Sequence, residues 1–543
     1  MLALLQRHRW FFLAFALAGL GLRTFFAWKF PQITPDSLLY ADLAKNWLTH
    51  GIYGQTDPTG ILPTYVRLPG YPAFLVGIFA IFGKDNFRAV LTLQILLDLG
   101  TCLLLADAAR RLFRDASGAN LISDRIPKIA FALAALCPFL ANYSGAVLTE
   151  TLEIFATTLA LNLALAALDS TSRKPSATLK LWSACGTFTA AAILLRPDGG
   201  ILAASIGGYL GVLFLLRRRR QDFAALLTLT LTVCACLVPW TVRNLHTFHR
   251  FQPLAPRYAN NDEDFVPHGF NRWTKTWIAD YVSTEELYWA EPGEEMDFDK
   301  LPQRAFDNRQ QFDATQQIFD DYNSNHEIDP DLDARFEAVA RERIHQSPFR
   351  NYIRLPLLRM ADMWLRPRTE LLPPDPRWWE FDDVPLWSAV AVAFGLINLV
   401  YLGAAVWGLR RSFAISLPLH INMLLLFVLL RTLFLGTLEN PEPRYTLEGY
   451  PVIILVAAAC CRRSTKFGRL SPKTHSPSPR QPQLFDFPPC TNRTQTCTMS
   501  QSSLGAPREN FPPVTCPSPP NSLLSVRLHC ARLGSNRQHC RDS

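Results

Sequence analysis

The chain has 543 residues, 49% of them hydrophobic, and a formal net charge of +8. The hydrophobic residues gather in separated blocks rich in Leu, Ala, Phe and Val, the pattern of membrane-spanning helices, which excludes a soluble enzyme. The surplus Lys and Arg sit in short clusters at the block ends, where they act as topology signals, so nucleic acid is excluded as a partner.

A hydrocarbon core of roughly 30 Å takes about 20 helical residues, and about ten segments qualify or nearly qualify. Arg7 and Arg9 precede the first span, about Trp10 to Trp28, and put the next loop outside. In that loop Leu39, Leu43 and Trp47 line one face of a surface helix expected from Asp36 to Leu48. Tyr71 to Phe82 is apolar but too short to cross; it reads as a re-entrant or interfacial helix opened by Pro69 and Gly70, leaving Lys29 to Phe87 as one external loop. A span from Arg88 to Ala106 then leads inward to Arg110, Arg111 and Arg114. Spans from Ile126 to Asn142 and Ala146 to Leu168 form a hairpin that returns to Arg173 and Lys174. A second pair, Leu179 to Leu195 and Ile201 to Leu216, ends at the run Arg217 to Arg220, the strongest inside signal. Phe223 to Trp240 crosses outward. The last spans are expected at Val384 to Trp407, Phe413 to Leu435 and Tyr445 to Cys461, with Arg410, Arg411, Arg462, Arg463 and Lys466 inside.

Four parts follow: an N-terminal transmembrane module over 1–242 containing the loop 29–87, an external soluble domain over 243–383, C-terminal transmembrane helices over 384–461, and a Pro- and Ser-rich tail over 462–543 that reads as disordered. The external domain is expected to hold a helix around Arg304 to Tyr322 and another opened by Asp329 and Pro330. Trp273, Trp277, Tyr281, Tyr288 and Trp289 read first as a small core and second as a surface on which sugar rings stack. Cys102, Cys137, Cys185, Cys234 and Cys236 lie inside apolar blocks as small hydrophobes. No cysteine or histidine spacing suggests zinc, so no metal and no cofactor are expected.

Ionisable residues are costly in hydrocarbon, and here they collect at the outer ends of the spans: Asp36, Arg67, Glu150, Glu153, Arg196, Asp198, Arg243, Glu439, Glu442 and Arg444. A cavity holding a carboxylate and several arginines at the water boundary suits sugar transfer from a lipid phosphate. Arginine holds the departing phosphate with a planar, permanently charged fork. A carboxylate takes the proton of the attacking hydroxyl on the opposite face of the sugar, and single displacement gives inversion. Bland readings stand beside this one: Asp36 as a helix cap, Arg196 as a headgroup anchor, and Glu439 with Arg444 as a buried pair.

The chain resembles the GT-C membrane glycosyltransferases, nearest to the family of dolichyl-phosphate-mannose protein mannosyltransferases and bacterial aminoarabinose transferase-like proteins. The resemblance spans about Trp10 to Cys461. It rests on Asp36-Ser37-Leu38-Leu39-Tyr40 with Ala44 and Asn46, Arg67-Leu68-Pro69-Gly70-Tyr71-Pro72, Thr149-Glu150, Leu195-Arg196-Pro197, Pro239-Trp240-Thr241-Val242-Arg243-Asn244 and Arg444-Tyr445. It implies an all-α GT-C-type bundle, a lipid-linked sugar donor, a lipid, glycan or protein acceptor, and Asp36 as catalytic base. Relatives often carry two adjacent acids there, whereas Pro35 and Ser37 flank Asp36, and Glu150 is the substitute. By position, Arg67, Arg196, Arg243 and Arg444 are the implied phosphate ligands. The bacterial character of the fragments points to an inner membrane with the site facing the periplasm or exterior. The rival classes are a polytopic transporter, against which no paired halves with matching broken spans are visible, and a non-catalytic scaffold.

Overall fold

Where water is absent, a backbone satisfies its own polar groups by becoming helical. The computed structural model describes residues 1–113, 124–169, 175–261, 264–380, 385–415, 418 and 420–461, all within one compact unit, Met1–Lys466. The cations expected inside at Arg114, Arg173, Lys174, Arg462, Arg463 and Lys466, and the tail, lie outside the described residues.

Among the described residues eight helices are long and apolar enough to cross a membrane: Arg9–Lys29, Phe87–Leu112, Glu150–Leu168, Pro175–Leu195, Pro197–Arg217, Arg220–Phe248, Pro385–Ile415 and Pro443–Cys461. Two shorter apolar helices, Gly70–Phe82 and Ile421–Leu435, have 13 and 15 residues. The chain is a polytopic, almost wholly helical membrane protein. Its described strands are Gly54–Asp57 and Gly60–Pro63, an antiparallel hairpin in the first loop. Glu150–Leu168 packs between Phe87–Leu112 and Pro175–Leu195 and is buried over most of its surface. Arg9–Lys29, Arg220–Phe248 and Pro385–Ile415 instead present Leu13, Leu17, Leu231, Leu396 and Val400 outward, as lipid-facing helices do.

The span expected from Ile126 to Asn142 is two short helices, Arg125–Ala135 and Pro138–Tyr143. Proline cannot donate in a helix interior, so Pro138 restarts the helix at its first position. The break strands carbonyls in an apolar setting, and Arg23 answers them: its guanidinium reaches Ala135 O at 2.7 Å and Ala134 O at 3.3 Å, while Nε donates to Asp98 at 2.7 Å. The next helix begins at Glu150, not Ala146, because Gly145 and Val147 exchange backbone hydrogen bonds with Gln32 at 3.0 Å. That bridge stitches the first loop to the mouth of the central helix.

The polar segment forms its own core of Trp273, Trp277, Phe319, Tyr322 and Phe336. The helix expected near Arg304 runs Arg309–Asn325, since Asn308 accepts from Gln311 N at 2.8 Å and fixes the start. Pro330–Gln346 begins where the sequence reading puts it, with Asp329 accepting from Leu332 N at 2.7 Å. Arg359, buried, donates to Ile278 O at 2.8 Å and Gly436 O at 3.5 Å, tying this domain to the end of Ile421–Leu435.

Arg23 sits at the junction of three helices with its charge enclosed. Arg23→Met is expected to lower stability by about 3–5 kcal/mol, by leaving Asp98 unpaired and two carbonyls unmet. The check is thermal unfolding in detergent: Arg23→Met melts well below wild type, and the double variant with Asp98→Asn recovers part of the loss.

Candidate active site

The loop after the first span presents Asp36 through a local helix start. Thr34 is the N-cap of Pro35–His50: its hydroxyl accepts from Ser37 N at 3.4 Å, and Ser37 Oγ accepts from Thr34 N at 3.0 Å, a capping box with Pro35 at the first position. Asp36 is therefore not the cap. Its Oδ1 accepts from Arg67 at 2.9 Å, and its side chain is 37% exposed. Burial works against the Arg67 charge, but the Asp36 carboxylate beside it outweighs this and holds the guanidinium above its ordinary range. Tyr40, one helical turn on, is pushed up to about 12 by burial, so its phenol stays neutral.

Arg67 lies just before Gly70–Phe82, whose first residue touches the end of Pro175–Leu195. A Cβ on Gly70 would stand 2.5 Å from Leu194 O, so only glycine permits the approach. Arg196 then follows on that neighbouring helix. It approaches Glu150 at 3.4 Å and both Glu153 and Asp198 at 3.5 Å, with its guanidinium 4.9 Å from the centre of the Tyr445 ring. Asp198 occupies a tight turn in which a Cβ on Gly199 would meet the Ala192 backbone at 2.6 Å. Arg444 reaches Glu150 at 3.7 Å and Glu442 at 2.5 Å.

Two cavities meet at these groups. The smaller, about 280 Å³, is lined by Arg67, Arg196, Arg257 and Arg444 against only Asp36 and Glu150. The larger, about 660 Å³, balances Arg67, Arg257 and Arg444 against Asp36, Glu439 and Glu442. Asp36, Arg67, Arg257, Arg444 and Tyr445 belong to both walls. One side is thus net cationic and fits a phosphate; the other is electrically balanced.

Of the sequence-predicted residues, Asp36, Glu150, Arg67, Arg196 and Arg444 come together here and Arg243 does not. Arg243 donates to Tyr53 O at 2.6 Å, Thr64 O at 2.8 Å and Asn244 Oδ1 at 2.8 Å, and packs on Tyr53, Trp240 and Phe248. It locks the hairpin loop to the end of Arg220–Phe248 and lines a separate pocket with Trp47 and Trp240. Glu439 pairs not with Arg444 but with Arg257 at 2.5 Å. Arg196 is no headgroup anchor, being 20% exposed among three carboxylates.

Sequence reasoning missed Arg257, Arg431 and Glu448. Arg431 is the deepest cation of the group: it meets Glu448 at 2.6 Å, Asp198 at 3.0 Å and Glu153 at 3.8 Å, and donates to Tyr445 O at 2.8 Å. Its signal was visible as a lone arginine within the apolar run Ile421–Leu435. Arg257 offered no such signal in a polar segment.

The sequence matches no family model and no curated protein. Among solved structures, the chain is similar to ArnT from Cupriavidus metallidurans bound to undecaprenyl phosphate, with 16% identity over 82% of this chain and 76% of that one and a TM-score of 0.35. It is similar also to the Archaeoglobus fulgidus oligosaccharyltransferase tethered with an acceptor peptide, with 12% identity over 83% of this chain and a TM-score of 0.45, and it spans 49% of that protein's length. Likeness at this level leaves the activity to be argued from the chain's own residues.

Arg431→Met strips three enclosed carboxylates of their shared cation, at an expected cost of about 3–5 kcal/mol. Monodisperse yield after detergent extraction should fall steeply, and adding Glu448→Gln should restore part of it. Equal yields for wild type and the single variant would contradict the assignment.

Proposed function

We propose that the chain is a membrane glycosyltransferase that moves a sugar from a polyprenyl- or dolichyl-phosphate donor to an acceptor hydroxyl on the non-cytoplasmic face, with inversion. One observation carries the reading: a cationic cavity and a charge-balanced cavity share the wall formed by Asp36 and Arg67. Group transfer needs two substrates held on opposite sides of one reacting centre. A transport route would ask for polar groups along the bundle's length, whereas these gather at one end.

In this reading the donor phosphate enters the cationic side and is held by Arg67, Arg196 and Arg444, with Arg257 at the rim. Their permanently charged forks offset the negative charge that grows as the bond from C1 to the phosphate oxygen breaks. The acceptor oxygen attacks C1 from the opposite face while Asp36 takes its proton. Charge balances: the electron pair of the broken bond leaves on the lipid phosphate, and the proton ends on the Asp36 carboxyl. Arg67 links the two events. Its guanidinium lines the cationic cavity and also pairs with Asp36 at 2.9 Å, so one side chain stands against both the donor phosphate and the base.

Glu150 is better suited to positioning than to proton transfer. Its side chain is 2% exposed and stands between Arg196 and Arg444, so it aims two of the proposed phosphate ligands. The non-cytoplasmic address is supported by the Arg217 to Arg220 run, at the far end of Pro197–Arg217 from Asp198. An inner bacterial membrane is the setting the sequence resemblance favours.

Membranes containing wild-type protein or Asp36→Asn at matched expression, supplied with radiolabelled polyprenyl-phosphate sugars, test the reading. Wild type should transfer label, and Asp36→Asn should lose at least about a hundredfold. Equal transfer by both would remove Asp36 from the chemistry; absence of transfer from every donor would remove the glycosyltransferase reading.

A further inference from the structure

The aromatic stretch of the polar domain divides into two roles. Trp273 and Trp277 are 1% and 0% exposed and fill the domain core, whereas Trp289 is 41% exposed and stands on the wall of the larger cavity with Tyr258 and Tyr288. Trp289 is held in place by an edge-to-face contact with Tyr281, their ring centres 5.8 Å apart at 83°. The hydroxyls of its two neighbours are already engaged: Tyr288 donates to Asn271 Oδ1 at 2.8 Å, and Tyr258 to Glu439 Oε1 at 3.3 Å. With their donor protons spent, these tyrosines offer the cavity ring surface and the lone pairs of their hydroxyls. Around them Glu439, Asn440 and Arg257 supply acceptors and donors.

We propose that this chamber binds the acceptor and that the acceptor is a carbohydrate, its ring seated on Trp289 and its hydroxyls on the polar rim. The proposal rests on the transfer reading for the word acceptor, but the binding chemistry stands on the chamber itself. A pyranose or furanose presents a face of C–H bonds bordered by hydroxyls, which matches rigid aromatic faces bordered by a carboxylate, an amide and a guanidinium. The alternatives fit less well. A lipid tail needs continuous apolar lining, and this wall carries six charged side chains. A phosphorylated acceptor needs net positive charge, and here three arginines face three carboxylates. At about 660 Å³ the chamber has the size of small-molecule sites and opens directly onto Asp36.

Saturation-transfer NMR on the full-length protein in lipid nanodiscs tests this, with millimolar methyl glycosides of common hexoses and pentoses and, in parallel, a serine-containing hexapeptide. The expected result is saturation of sugar ring C–H protons by wild type. Trp289→Ala should lower it about fivefold or more and Trp289→Phe should keep most of it, since a smaller ring still offers a stacking face. Should the alanine variant fail to fold, as read by gel filtration, wild type and the phenylalanine variant decide: saturation by both upholds the site. No saturation with any glycoside, equal saturation with a folded Trp289→Ala protein, or a preference for the peptide overturns it. Donor turnover measured on the same preparation separates the two claims. Glycoside binding without turnover of any donor sinks the transfer reading and keeps the carbohydrate site, while turnover without glycoside binding does the reverse.

Discussion

Charge enclosed by helices must be paired, and in this protein one buried guanidinium answers for much of one end of the bundle. Arg431 stands among Glu153, Asp198 and Glu448, which come from three other segments of the chain, and holds the backbone of Tyr445 as well. Removing Arg431 would leave the three carboxylates without their shared cation, so the segments that carry them are tied to Ile421–Leu435. Everything nearer the cavity is built on that foundation. Arg196 shares Glu153 and Asp198 with Arg431, Glu150 links Arg196 to Arg444, and Arg444 continues to Glu442.

The outer members of this chain of charges are the accessible ones. Arg67, Arg196 and Arg444 keep 20% to 25% of their side chains exposed, whereas Arg431 keeps 2%. The gradient separates two jobs that arginine does well, locking a packed bundle and meeting an anion at its surface. Asp36 belongs to neither, since it reaches the cavity from the first loop, on a helix whose start Thr34 and Ser37 secure without its help. A carboxylate free of capping duty, 37% exposed and paired only with Arg67 among the ion pairs of the described residues, is what the proposed chemistry asks for.

Much of this was legible in the sequence, for reasons that differ by element. Long apolar blocks announce spans, and the short apolar helix Gly70–Phe82 and the Asp329 cap follow from length and residue type alone. The hairpin partner at Ile126 to Asn142 was misjudged because hydropathy ignores the break that Pro138 imposes, and because Arg23, which repairs it, lies in a span far along the chain. Five of the six candidate residues lie together, since ionisable groups at one set of helix ends have few places to go. Arg243 shares that position but faces the hairpin loop, and sequence spacing does not say which side of a helix end a long side chain takes. Arg257 was beyond reach, and Trp289 could not be told from the core tryptophans Trp273 and Trp277, because in a polar domain with many charged and aromatic residues only tertiary packing selects those that line the cavity.

A cryo-electron microscopy structure in nanodiscs with a polyprenyl phosphonate sugar, which cannot release its lipid, tests the central claim most directly. The account predicts the phosphonate oxygens against Arg67, Arg196 and Arg444, with the anomeric carbon turned toward Asp36. A phosphonate bound elsewhere, such as the pocket of Arg243 and Trp240, or an anomeric carbon facing away from Asp36, would contradict it.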